Sequence, residues 1–82
     1  MESTHTETVH HGQNIKRLRD LLGIKQETVA IGLHITQQAM SKLEQKEQID
    51  DELLCNISKI LNVPVESIKN FDDKTAINLS SV

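Results

Sequence analysis

The stretch Gln26–Glu44, QETVAIGLHITQQAMSKLE, constrains the fold most, because it reads as two short helices joined by a tight turn. Val29, Ala30 and Leu33 follow the three-and-four spacing of a single helix face, which sets the first helix at Gln26–Leu33. His34 and Ile35 are left for the turn. Thr36 then stands at an N-cap position, where its hydroxyl can accept from a backbone N–H two or three residues on. The second helix runs from Gln37 to about Gln45, with Ala39, Met40 and Leu43 inward and Gln37, Gln38, Ser41 and Lys42 outward.

The remainder of the chain can supply only a small aliphatic core. The whole chain, at 82 residues, suits one domain near the lower limit for self-sufficient folding. Hydrophobic residues make up 37%, with one Phe and neither Trp nor Tyr, so Leu, Ile, Val and Met must fill the interior. No run alternates β-branched and aromatic residues as a half-buried strand would, and the fold class expected is all-α, a bundle of about five short helices. The single Cys rules out an internal disulfide and fits a reducing cytosol. No apolar run is long enough for a signal peptide or a membrane span. There is no Gly-rich phosphate loop, no His/Cys ligand cluster in the folded part and no obvious carboxylate pair, so neither an enzyme nor a cofactor is expected.

Three segments organise the chain. Residues 1–11 are polar and aperiodic and read as a flexible tail. His5, His10 and His11 lie in it, but no Cys or carboxylate completes a metal-ligand set at structural spacing, so no metal is expected. Residues 12–71 form the domain. Its first helix, Gln13–Leu22, buries Ile15, Leu18 and Leu22 and exposes Lys16, Arg17 and Asp20; Gly23 ends it and Ile24 enters the core. After a polar connector, Asp50 is placed to cap a fourth helix whose first turn carries Asp51 and Glu52, and whose apolar face holds Leu53, Leu54, Ile57, Ile60 and Leu61. Asn62-Val63-Pro64 ends that helix, and Pro64 starts a fifth that runs to about Phe71 with Val65, Ile68 and Phe71 inward. Cys55 reads as an inert helix residue, since no neighbouring base would activate it. Residues 72–82 carry Ala76, Ile77, Leu79 and Val82, apolar enough to pack on the domain or on a dimer partner.

The exposed face of the third helix points to a partner. Gln makes paired hydrogen bonds to adenine, and Lys reaches guanine or a phosphate. Gln37, Gln38 and Lys42 are therefore candidate base readers in double-stranded DNA, with Ser41 at the margin. The net charge of −3 runs against such a partner, but the charge is uneven. Within residues 12–48, Lys16, Arg17, Arg19, Lys25, Lys42 and Lys46 outnumber Asp20, Glu27, Glu44 and Glu47, whereas the segments on either side are acidic. Phosphate contact depends on that local surplus.

The chain resembles the phage-repressor (Cro-like, xenobiotic-response-element) helix-turn-helix family over roughly residues 12–71. The resemblance rests on Gln26 opening the second helix, Ala30 between the second and third, Ile35-Thr36-Gln37-Gln38 entering the third, and Leu43-Glu44 near its end. It implies a lambda-repressor-like fold and a cytoplasmic, nucleoid-associated transcriptional regulator, most simply a repressor, that binds as a homodimer. It implies a phosphate contact for Gln26, with Asn14, Lys16, Arg17 and Lys25 as weaker phosphate candidates, and a structural ion pair between Arg19 and Glu44. Two residues depart from the family pattern. Lys25 stands where a capping Ser or Thr is usual, at a cost of about 1 kcal/mol. His34 replaces the Gly usual at the turn, where the backbone tends to be left-handed. The alternative function is a protein-interaction module or antitoxin-like component whose main partner is another protein, which the acidic balance favours. The amide and ammonium face of the third helix favours DNA.

Overall fold

The structure, a computed structural model, describes residues 10–70. Over that span the chain is all-α, with helices α1 (His11–Leu22), α2 (Gln26–Leu33), α3 (Gln37–Leu43), α4 (Asp51–Leu61) and α5 (Val65–Lys69). Helix α3 stops two residues short of the expected Gln45, and Pro64 is the N-cap of α5 rather than its first residue. His5, the inward position of Phe71 and the packing of residues 72–82 lie outside the described residues.

Three helices stop in the same way, and these stops shape the core. Gly23, His34 and Asn62 each take left-handed backbone, with φ of 73°, 62° and 62°. In each case the next N–H reaches back to close the helix end: Ile24 to the Arg19 carbonyl, Ile35 to the Ala30 carbonyl and Val63 to the Ser58 carbonyl. This is the Schellman arrangement, in which the residue after the left-handed one returns to the protein interior. Ile24, Ile35 and Val63 accordingly pack against a core of Ile15, Leu18, Val29, Ala30, Met40, Ile49, Leu54, Ile57, Leu61 and Ile68. Burying a Leu or Ile side chain fully contributes about 1.5–3 kcal/mol. That aliphatic core is the main source of stability among the described residues, which include no Phe, Tyr or Trp.

The same stop corrects the expected buried stripe of α1. Leu22 is 41% exposed, and Arg19 occupies the inner face beside Ile15 and Leu18 instead. Leu22 belongs to the last turn, where Gly23 bends the chain away, and Ile24 beyond the stop packs against the core as expected.

A second correction concerns His10 and His11, which are structured parts of the domain rather than members of a flexible tail. The His10 Nδ1 accepts from the Gln13 N–H at 3.0 Å and so caps α1. The His11 Nδ1 accepts from the Ile49 N–H at 3.0 Å. Two free N–H groups at the start of α1, those of His11 and Gly12, donate to the Glu47 and Lys46 carbonyls at 2.9 Å. The connector after α3 is thereby clipped to the beginning of α1. Gly12 permits the clip, because a Cβ there would stand 2.5 Å from the Glu44 carbonyl carbon and oxygen.

Candidate nucleic-acid interface

Helices α2 and α3 pack on each other across the His34–Ile35 turn, and local chemistry explains both starts. The Thr36 hydroxyl accepts from the Ala39 N–H at 3.0 Å and fixes the first turn of α3. Lys25 caps α2 with backbone only; its side chain makes no capping bond. Val29, Ala30 and Met40 are buried between the two helices and the rest of the core, while Leu33, Ala39 and Leu43 are half-buried at the edges.

Beneath this pair lies a buried charge network. Arg19 donates from Nε to Glu44 Oε2 at 2.7 Å and from Nη2 to Glu44 Oε1 at 3.3 Å. Its Nη1 donates to the Ile24 carbonyl at 3.0 Å. Both residues are only 7% exposed. A buried pair of this kind holds because the guanidinium fork fills both carboxylate oxygens and a carbonyl takes a donor from the remaining nitrogen. It ties the inner face of α1 to the residue that caps the C-terminus of α3.

The network continues to the surface through Gln26. The Gln26 side chain donates from Nε2 to Glu44 Oε1 at 3.0 Å. Its Oε1 accepts from Gln37 Nε2 at 3.2 Å and from the Ser41 hydroxyl at 3.2 Å. A continuous set of bonds thus runs from the Arg19–Glu44 pair to the first residue of α3.

The residues singled out from the sequence fall into three groups. Gln37, Gln38 and Lys42 are exposed and share adjacent faces of α3, since positions four apart lie one above the other on a helix. Ser41 is half-buried, with its hydroxyl turned toward Gln26. Lys16, Arg17 and Lys25 are exposed. Asn14 is half-buried and differently engaged: its Nδ2 donates to the Ile68 carbonyl at 2.7 Å, joining α1 to α5. Sequence reasoning paired Arg19 with Glu44 through the family resemblance and found Gln26, Gln37 and Ser41 singly, but not the bonds that join Gln26 to Glu44, Gln37 and Ser41, which depend on α2 and α3 meeting. Among the described residues no group of three or more His, Cys, Asp or Glu is placed to hold a metal ion, and no helix is long and apolar enough to cross a membrane.

Comparison with known proteins gives a consistent picture. A family model described as Helix-turn-helix matches residues 15–68. An uncharacterized HTH-type transcriptional regulator of Sinorhizobium medicae (strain WSM419) is 41% identical over 58 residues, covering 70% of this chain and 42% of that protein. An uncharacterized HTH-type transcriptional regulator of Rhizobium meliloti (strain 1021) matches with the same identity and coverage. The chain therefore spans about two fifths of the length of these curated relatives. No solved structure matches it.

Proposed function

Because this chain belongs to the helix-turn-helix family of Cro/C1 type, we propose that it binds double-stranded DNA sequence-specifically and regulates transcription, with α3 lying in the major groove. The observation that carries the reading is the exposed face of α3. Gln37, Gln38 and Lys42 project from a helix whose opposite side is held by buried Met40 and by the Glu44–Arg19 pair. Rigid backing with exposed amide and ammonium groups is what base-edge contact requires.

In this reading Gln37 and Gln38 contact bases, as N-terminal residues of a recognition helix do, and Lys42 reaches a guanine or a phosphate. Ser41 serves at the margin, through the lone pairs its bond to Gln26 leaves free. Gln26 uses its second Nε2 hydrogen on a phosphate. Lys16, Arg17 and Lys25 neutralise further phosphates, and Asn14 assists with whatever capacity its bond to α5 leaves. The active form is a homodimer on a two-fold-symmetric site, its half-sites about one helical turn apart. Action is by repression, in the cytoplasm at the nucleoid, with no catalytic step.

The acidic overall charge supports a second reading, in which the domain is an interaction module for another protein. Titration of random duplex and of a selected site across a salt series separates the two. DNA affinity should fall as salt rises, with a slope of about 0.9 per phosphate neutralised. Gln37→Ala and Gln38→Ala should each weaken the selected site by about 1–3 kcal/mol and leave random DNA and the melting temperature nearly unchanged. No binding to any duplex at low salt by a folded protein would defeat the DNA reading. Unchanged specificity in both variants would remove α3 as the reader.

A further inference from the structure

We propose that Glu44 is a positioning residue that dictates which amide edge Gln37 presents, and so sets a preference for adenine over guanine at the base Gln37 reads. The inference rests on the DNA-reading role of α3 proposed above. A carboxylate only accepts hydrogen bonds. The Gln26 atom that faces Glu44 Oε1 at 3.0 Å must therefore be its NH2 group, so chemistry decides the amide sense. The Gln26 Oε1 is then turned toward α3, where it can only accept, and Gln37 must offer its own NH2 at 3.2 Å. One Gln37 N–H is committed to that bond. The edge left for DNA holds one N–H donor beside the Oε1 acceptor.

That edge complements adenine, which presents the N7 acceptor next to the N6 donor in the major groove. Guanine presents two acceptors, N7 and O6, so one of them would face the Gln37 Oε1. The order of donors and acceptors is handed outward from the buried carboxylate, through Gln26, to the surface. Reversing it at the source should reverse it at the end. In Glu44→Gln the new amide keeps its oxygen on Arg19 Nε, the shorter of the two Arg19 bonds, gives up the bond from Nη2, and turns its NH2 toward Gln26. Gln26 must then accept with Oε1 and offer NH2 to α3. Gln37 would accept with its oxygen and keep both N–H donors for the base, the pattern guanine prefers.

The test is competition binding of the full chain to duplexes that differ at one base pair. Gln37→Ala first identifies the position that Gln37 reads. At that position Glu44→Gln should reduce the adenine-over-guanine ratio by about tenfold. Gln26→Leu, which cuts the chain of bonds while leaving Arg19 and Glu44 paired, should lower the ratio as well. A contact to phosphate alone would instead lower affinity on all sequences equally. Simple destabilisation would also weaken adenine and guanine sites alike, so the ratio reports positioning and not folding. Circular dichroism at the binding temperature checks that Glu44→Gln is folded. If it is not, Gln26→Leu decides, because Gln26 is half-buried and outside the core. A folded Glu44→Gln or a Gln26→Leu that keeps the wild-type ratio overturns the proposal, while an altered preference in Gln37→Ala leaves base reading intact. A Gln37→Ala variant with unaltered base preference overturns base reading by Gln37, and the positioning role with it.

Discussion

Gly12→Ala sets two effects of known size against each other. Gly inside a helix is about 0.8–1.0 kcal/mol less favourable than Ala, so propensity alone predicts a gain in stability. Packing predicts the reverse. The added Cβ would stand 2.5 Å from the Glu44 carbonyl carbon and oxygen and 2.6 Å from the Leu43 oxygen. Ordinary carbon contacts lie at about 3.5–4.0 Å, so a shift of roughly 1 Å is needed, and backbone at the end of a helix cannot rotate aside as a side chain can. Moving α1 by that amount strains the two 2.9 Å bonds from His11 and Gly12 to the connector, each contributing about 0.5–1.5 kcal/mol. Overpacking of this kind costs typically about 1–3 kcal/mol by itself. We expect a net loss of about 2 kcal/mol or more after the propensity gain, which lowers the melting temperature of so small a domain by at least about 8 °C. Gly32→Ala is the control: its Cβ would meet Ile60 Cδ1 at 2.8 Å, the far end of a side chain that can rotate. Its loss should stay below about 1 kcal/mol, because the same propensity gain offsets it. Thermal melts of both variants decide the matter, and a Gly12→Ala protein as stable as wild type would refute the steric argument.

Two other substitutions probe charge and capping. Glu44→Ala strands the buried Arg19 guanidinium and should cost about 3–5 kcal/mol, whereas Glu47→Ala, at an exposed position, should stay within about 0.5 kcal/mol; equal losses in denaturant titrations would mean the pair is not buried in solution. Lys25→Ser supplies the side-chain acceptor that α2 lacks and should raise stability by about 1 kcal/mol. If Lys25 touches a phosphate, the same change should also make the salt dependence of DNA binding shallower by about 0.9, and an unchanged slope would exclude that contact.

Features that a local pattern encodes were legible in the sequence. The limits of α2, the Thr36 cap, the missing cap at Lys25 and the left-handed turn at His34 each follow from a few neighbouring residues, and each stands as expected. The start of α1 did not, because His10 and His11 carry no hydrophobic signal. They contribute through ring nitrogens that accept backbone N–H groups, and the partner of His11 lies at Ile49, 38 residues away. Leu22 misled for a related reason: periodicity marks it as inward, but a helix face buries nothing beyond the point where the chain turns off it. At the interface, the exposed set Gln37, Gln38 and Lys42 could be read from helical spacing. The engagement of Asn14 with α5 could not, since residue type gives a side chain's bonding capacity and only the assembled fold gives its partner.

The bonds that join Gln37 to Gln26, and Gln26 to Glu44, bear on the entropy of association. A free glutamine on a helix surface samples many rotamers, and restricting a long side chain costs up to about 1.5–2 kcal/mol. Here part of that restriction already exists in the unbound protein, so less freedom is left to lose when a partner arrives. In the proposed complex, Gln38 and Lys42, whose side chains are exposed and make no hydrogen bond among the described residues, would bear the larger ordering cost. Two neighbouring glutamines of the same helix would then differ in their thermodynamics of binding, one set rigid at folding and the other at contact.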